Sequence, residues 1–273
     1  MSKKKKTSSK KHPKRHKRKP AKKYKVLSLK AAGAYPFNWV AGLFPGLDFR
    51  STFITISGCI LLILYLYHGK PFHFFKYFPD LAQSLGREKA AMASYIYSHL
   101  VSAVVLLIIP LAAITLVFRE NPKEWGIKFK GSGKEFKIVV IFYLIFLPFL
   151  FIFAQTDSFQ DKYPKLKLIK DNGQLFFMYQ GVYLIKWIAW EFFFRGYLLF
   201  GFAKKYGEAA ILFSTMPFVI VHLGKPQGEI FGAIAAGFIL CRLSLSGRSI
   251  FPGVWLHFMV AGTMDFMNCT FYN

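Results

Sequence analysis

Seven ionisable side chains lie within apolar stretches in the C-terminal half of this sequence. On membrane-insertion scales, a charged residue at the centre of a bilayer costs about 2.5–3.5 kcal/mol. An apolar residue such as Leu or Phe offsets only about 0.3–0.6 kcal/mol of that cost. If these stretches cross a membrane, the seven groups must pair with one another or line a wet cavity. They are Lys186, Glu191, Arg195, His222, Glu229, His257 and Asp265.

Three of these residues, Glu191, His222 and His257, form the candidate catalytic group. The helical rise places them at similar depths, where a carboxylate and two imidazoles predict general acid–base chemistry on water. Glu191 would take a proton from water, and one His would donate to a developing oxyanion or to the leaving amine. Arg195 shares a helix face with Glu191, and Asp265 shares one with His257. The residues expected to orient the site or to bind substrate are Arg195, Asp265 and Glu229.

Two other interpretations of the same residues stay open. Two His and one Glu are also a catalytic zinc ligand set, so zinc at Glu191, His222 and His257 is an alternative. The sequence has no HExxH motif and each ligand comes from a different helix, which favours water activation without a metal or other cofactor. In the purely structural interpretation, Glu191 and Arg195 form an intrahelical ion pair and each His caps or bridges backbone.

The elements that must position these residues are membrane helices. Hydrophobic residues make up 54% of the chain and aromatic residues 19%, and several apolar runs approach the roughly 20 residues that span a bilayer. The sequence therefore predicts an all-α polytopic bundle of about seven transmembrane helices. An eighth, hidden between residues 24 and 50, would change the topology. The seven runs are 51–68, 98–118, 136–154, 175–200, 209–223, 229–245 and 249–267.

Positive charge is concentrated at the N-terminus. Residues 1–25 contain 14 Lys and Arg and no acid, within a net charge of +24. We expect a disordered tail that holds the N-terminus in the cytoplasm, rather than one that attracts anionic lipid or nucleic acid. No apolar run follows Met1, so no cleavable signal peptide is expected. Three scattered Cys are too few for a disulfide framework or a zinc ribbon.

These features predict three regions. A polybasic cytoplasmic tail spans 1–25, scaffold membrane helices span 26–135, and the bundle that carries the candidate site spans 136–273.

Three sequence runs in the last region resemble the motifs of one family. WEFFFRGYLLF begins at Trp190, FVIVHLGKP contains His222, and HFMVAGTMD begins at His257. They are similar to the motifs Glu-Glu-x-x-x-Arg, Phe-x-x-x-His and His-x-x-x-Asn of the CPBP family, the CAAX protease and bacteriocin-processing (Abi) intramembrane endopeptidases. The resemblance covers roughly 175–267. It implies a glutamic-type endopeptidase in the membrane, and a bacterial inner membrane is the expected location. Its partners would be lipids and a membrane-anchored protein or peptide substrate, with no specific nucleic acid.

The sequence departs from that family pattern at two positions. Trp190 stands where the family has its first Glu, which is regarded as the general base, and Ala261 stands where the family has Asn. Asp265 lies one turn further on and is a candidate replacement for the Asn. The resemblance thus implies either a protease that relies on Glu191 or an inactive relative that serves as a membrane scaffold or bacteriocin-immunity factor. A small transporter is disfavoured, because no internal repeat relates two halves of the chain.

Overall fold

The computed structural model describes residues 46–129, 133–170 and 172–271. Its contacts divide the chain after Leu43, and everything below belongs to the second unit, Phe44–Asn273. Within the described residues the secondary structure is helical and contains no strand, which confirms the predicted all-α class. The predictions for the tail, 1–25, and for a hidden span before residue 46 lie outside the described residues.

Each of the seven predicted hydrophobic runs lies largely on a helix, and the helix over the run 98–118 begins earlier, at Pro79. A π-helical segment, Phe192–Phe200, joins the helix Gly173–Glu191 to the helix Gly201–Tyr206, and two π turns, Val104–Ile108 and Ala113–Val117, lie within the helix Pro79–Val117. The helices are α1 (Phe49–His68), α2 (Phe72–Tyr77), α3 (Pro79–Val117), α4 (Gly133–Ala154), α5 (Asp157–Gln160), α6 (Gly173–Glu191), α7 (Gly201–Tyr206), α8 (Ala210–Ile220), α9 (Gln227–Gly247) and α10 (Phe251–Thr270).

Side-chain caps and prolines set where several helices begin. The Asp48 carboxylate accepts a hydrogen bond from the Ser51 amide at 3.1 Å and caps α1. The Asn172 amide oxygen accepts one from the Leu175 amide at 3.0 Å and caps α6. Pro252 lies in the first turn of α10, where a missing N–H costs no helical hydrogen bond.

Four described helices, α1, α3, α4 and α9, are long and apolar enough to cross a membrane. On α4, Ile141, Leu144 and Ile152 are 57%, 58% and 61% exposed. Such a surface is expected to face lipid rather than water, as in an integral membrane protein. By contrast, α8 has only 11 residues, fewer than the predicted run 209–223. It therefore reaches about 16 Å, roughly half the bilayer core.

The π-helical segment lies at the centre of the bundle. All nine of its residues are buried, and it packs against α1, α8 and α9, while α6 packs against α3 and α10. The rings of Phe192, Phe193 and Phe194 are fully enclosed. Because the segment is surrounded by helices, the polar residues on it can meet only groups that those helices bring to it.

An ionic cluster ties together three helix ends. The Glu120 carboxylate, just after α3, pairs with Arg50 of α1 and accepts hydrogen bonds from Lys204 of α7 at 2.5 Å and from the Trp125 indole at 2.9 Å. Burial alone would raise the pKa of Glu120, but the hydrogen bonds from Lys204 and Arg50 outweigh it and lower that pKa. The carboxylate is thus held ionised where the helix ends meet.

We expect Glu120→Gln to lower the thermal midpoint of the detergent-solubilised protein at pH 7, because it removes the charge that Arg50 and Lys204 share. Since folding lowers the pKa of this carboxyl, its stabilisation is complete above the unfolded pKa of about 4.3 and is lost as the pH falls through the folded value. The gap between wild type and variant should therefore narrow as the pH falls below about 4.3 and close below the lowered pKa of the folded protein. The exposed Glu88→Gln is the control, and a gap that stays constant from neutral to acidic pH contradicts the assignment.

Candidate functional site

A buried ion-pair group lies where α6 meets α10. Glu191 and Arg195 are both 0% exposed, with Nη1 of Arg195 3.2 Å from Oε1 of Glu191. Nδ1 of His257 lies 2.7 Å from the same oxygen. The Arg195 guanidinium also lies over the Phe218 ring, 4.0 Å from its centroid. The structure therefore unites two of the three candidate catalytic residues, and it seals the carboxylate between two cationic or hydrogen-bonding groups.

Close approach of α10 to α6 depends on Gly253. A Cβ atom built on this glycine would lie 3.0 Å from Cδ of Glu191 and closer still to one carboxylate oxygen. Real Cβ atoms do not approach other atoms so closely, so a side chain at 253 would require the Glu191 carboxylate to move from its place beside Arg195 and His257. With no side chain at 253, α10 carries His257 into contact with Glu191.

His222, the third candidate, lies just after α8 and is held by its own chain. Its Nδ1 donates to the Phe218 carbonyl oxygen at 2.6 Å. Its ring is linked to His257 through the Phe218 ring, whose centroid lies 4.6 Å from His222 and 5.8 Å from His257. Among the described residues, no hydrogen bond or ion pair joins His222 to Glu191. His222 is therefore linked to the Glu191–His257 pair through the Phe218 ring.

The two remaining candidates, Asp265 and Glu229, lie in separate polar contacts. Asp265, on α10, is fully buried and accepts a hydrogen bond from Nε2 of Gln180 at 2.9 Å. Glu229, in the first turn of α9, pairs with Lys225 and accepts a hydrogen bond from the Tyr163 hydroxyl at 2.9 Å. Neither carboxylate contacts the Glu191 group through a hydrogen bond or ion pair in the described part of the chain.

A cavity of about 260 Å³ lies at one end of the bundle, beside this group rather than around it. Its walls come from α1, α3 and α6, from the turns that follow α1 and α8, and from the loop before α6. Neither Glu191 nor His257 is among its lining residues. They are Tyr65, Leu66, Gly69, Lys70, Pro71, Tyr95, Ser98, His99, Lys165, Tyr179, Tyr183, Lys186, Trp187, Trp190, Val221, His222 and Lys225.

Trp190 lines this cavity next to His222. Its ring centroid lies 6.5 Å from that of His222 and 5.7 Å from that of Tyr65. Glu191, the next residue, points instead to Arg195 and His257. The 100° step between consecutive helix positions separates these two environments.

Sequence reasoning missed the aromatic face of α6 that forms one cavity wall. Tyr179, Tyr183, Trp187 and Trp190 follow one another at spacings of four, four and three, and their neighbouring rings lie about 5 Å apart up to Trp187. That spacing places the four rings on one helix face, so this aromatic face could have been predicted from the sequence. Lys186 lies beside this face, with Nζ 5.3–5.9 Å from the rings of Tyr183, Trp187 and Trp190.

Among the described residues, no group of three or more His, Cys, Asp or Glu is placed to hold a metal ion. Glu191 and His257 are in contact, and the Phe218 ring lies against the rings of both His222 and His257. Zinc at these three residues therefore stays an expectation from the sequence, which a metal-addition experiment can address.

One comparison with known proteins gives a match. The family model for type II CAAX prenyl endopeptidase Rce1-like proteins matches residues 172–263. This range runs from the start of α6 into α10 and contains Glu191, His222 and His257. The resemblance to CAAX-type proteases is therefore confirmed over this segment. Searches of curated proteins and of solved structures give no match.

We expect Arg195→Met to destabilise the protein by about 3–5 kcal/mol, because it leaves the Glu191 carboxylate buried without its cation. Replacing both partners, as Arg195→Met with Glu191→Met, should restore much of that loss, since neither charge is then buried. Unfolding in detergent by heat or denaturant measures both effects. Arg87→Met, on the exposed surface, is the matched control. A double variant as unstable as the single one would contradict the pairing.

Proposed function

We propose that this protein, whose residues 172–263 match the CAAX endopeptidase family model, is a membrane-embedded binding protein. It receives its ligand in the cavity beside Trp190 and does not hydrolyse a peptide bond. This is the function of an inactive relative that acts as a membrane scaffold.

The position of Trp190 is the observation that carries the proposal. The related family has a carboxylate at this position of its first motif, and that carboxylate is regarded as the base that activates water. Here the position lies on the cavity wall beside His222 and holds an indole, which cannot accept a proton from water. A general base must reach the proton that it removes, directly or through one water.

Burial of Glu191 supports the same conclusion. Its side chain is 0% exposed, does not line the cavity, and lies against Arg195 and His257. Using it as a base would require opening a fully enclosed ion-pair group. Ala261, where the family has Asn, adds no polar group that could stabilise an oxyanion.

One observation favours hydrolysis as a second candidate function. Glu191 contacts Nδ1 of His257 at 2.7 Å, the arrangement by which a buried carboxylate orients a catalytic imidazole. Nδ1 then carries the proton and leaves Nε2 as a base. In that case His257, positioned by Glu191, would activate water in an intramembrane endopeptidase, and a membrane-anchored protein or peptide would be the substrate.

We propose the same setting for either function. The exposed apolar surfaces of α1, α3, α4 and α9 support residence in a bilayer, and a bacterial inner membrane with a cytoplasmic N-terminus is consistent with the basic tail.

We expect cells that express the wild type and cells that express His222→Ala with His257→Ala to have the same protein C-termini, because no hydrolytic step depends on these residues. Mass spectrometry of C-terminal peptides from membranes measures this for many membrane proteins at once. In proteoliposomes, a quenched-fluorescence prenylated CAAX-type peptide should stay intact, with or without added Zn²⁺.

His73→Ala, a histidine outside the site, is the control variant. Cleavage that the control retains and His257→Ala loses would overturn the binding-only proposal and support the second candidate. Dependence of such cleavage on Zn²⁺ would in turn support a metal at Glu191, His222 and His257.

A further inference from the structure

The cavity wall is rich in hydrogen-bond donors that have no partner. The indole nitrogens of Trp187 and Trp190 and the hydroxyl of Tyr179 are buried without a hydrogen bond in the described part of the chain. An indole N–H can only donate. Because buried donors are normally satisfied, an acceptor that reached these wall residues would stabilise them.

The charges of the wall have the same sign. Lys70, Lys165, Lys186 and Lys225 line the cavity, whereas none of the described lining residues is Asp or Glu. Glu229 offsets part of this charge, because it is paired with Lys225. The ammonium group of Lys186 lies 5.3–5.9 Å from three aromatic ring centroids and is in ion-pair contact with no carboxylate among the described residues. A set of like charges around an enclosed space repels itself and is stabilised by an anion.

Two hydrogen bonds fix the mouth of the cavity in place. The Tyr95 hydroxyl donates to the carbonyl oxygen of Lys165, and the Ser98 hydroxyl donates to that of Gly69 at 2.5 Å. Both donors come from α3, so this helix anchors the loop before α6 and the turn after α1. The backbone at Lys165 and at the turn that carries Lys70 is therefore held in position before any ligand arrives, which lowers the entropy cost of binding.

The protonation of Lys165 is consistent with this arrangement. Burial, followed by the neighbouring Lys225, lowers the pKa of Lys165 to about 8. At pH 7 the ammonium form still predominates, so the loop presents a positive charge to the cavity.

We propose that the cavity binds a phosphate-type oxyanion, held by Lys165, Lys186 and Lys225 and by the indole N–H groups of Trp187 and Trp190. This inference rests on the proposed binding function and names the chemistry of its ligand. The anion comes either from the headgroup of a membrane lipid or from a free phosphate.

Charge and donor number favour phosphate over a peptide carboxylate. A phosphate monoester carries about −1.5 to −2 charges at pH 7 and three strong acceptor oxygens. Lys165 and Lys186 are in ion-pair contact with no carboxylate among the described residues, whereas Lys225 is already paired with Glu229. A single carboxylate carries less charge than a phosphate and offers fewer acceptor oxygens to these ammonium groups and to the two indole donors. Lysine is also a common phosphate ligand, as a compact point charge.

The test uses the full chain in detergent, with its intrinsic tryptophan fluorescence as the signal, since Trp187 and Trp190 line the cavity. The probes are inorganic phosphate, dihexanoyl-phosphatidic acid, the uncharged dihexanoylglycerol, and an acetylated tetrapeptide with a free C-terminal carboxylate. A rise in thermal midpoint with probe concentration gives a second readout, because a ligand that binds the native state stabilises it.

We expect the phosphatidic acid, the inorganic phosphate, or both to bind, and the uncharged glycerolipid not to bind. Lys186→Met and Lys165→Met should each weaken phosphate binding by about tenfold or more, the value of one charge-assisted hydrogen bond. The exposed Lys89→Met, outside the cavity, should leave binding unchanged. Lys186→Met removes a half-buried charge and is expected to fold at least as stably as the wild type.

Binding of the lipid alone assigns the oxyanion to a headgroup, and binding of both probes assigns it to phosphate in general. Binding of the carboxylate peptide but neither phosphate probe overturns the inference, as does equal phosphate binding by wild type and Lys186→Met. Either negative result, with protein C-termini unchanged, leaves the proposed binding function standing. Hydrolysis that depends on His257 would overturn that function while leaving phosphate binding to be judged on its own data.

Discussion

The guanidinium of Arg195 is the constraint on which the centre of this protein depends. A fully buried cation costs several kcal/mol to remove from water and persists only beside compensating groups. Glu191 supplies the charge from one turn earlier in the helix, Phe218 supplies a ring face, and His257 completes the far side of the carboxylate. Glu191 is thereby committed to balancing charge. A carboxylate in that role is a poor base, since any proton it takes leaves Arg195 uncompensated.

The bundle therefore contains two polar regions with different properties, one around Glu191 and one beside Trp190. Around Glu191 the charged groups pair with one another in an enclosed space. Around Trp190 there is a cavity lined by four lysines, of which Lys225 is paired with Glu229, and by two indoles whose N–H groups have no hydrogen-bond partner among the described residues. The boundary runs between two consecutive residues of one helix. On one side of this boundary the chain keeps the Glu-x-x-x-Arg spacing of Glu191 and Arg195, and on the other side the indole of Trp190 forms part of the cavity wall.

The helices and the Glu191–Arg195 pair could be predicted because both depend on local patterns in the sequence. Apolar runs locate the helices because burial in lipid depends mainly on composition, and the four-residue spacing of Glu191 and Arg195 predicts their pairing because a helix brings such residues together. Helical rise alone did not place His222. The short α8 and the hydrogen bond of His222 to its own backbone decide where this ring points, and neither follows from periodicity. Lys165 joins the cavity through a loop, which only tertiary structure could reveal.

Gly253 makes the packing of α10 against α6 sensitive to small changes in structure. The distance between α6 and α10 is set by the absence of a single carbon atom, because any side chain at 253 would meet the Glu191 carboxylate first. The two helices are therefore packed in close contact at this point, with no room for an added side chain unless Glu191 moves. A shift of one of them by less than the width of a methyl group would part Glu191 from His257. A substitution on the outer side of α10 that tilts this helix is therefore expected to change the contact between Glu191 and His257.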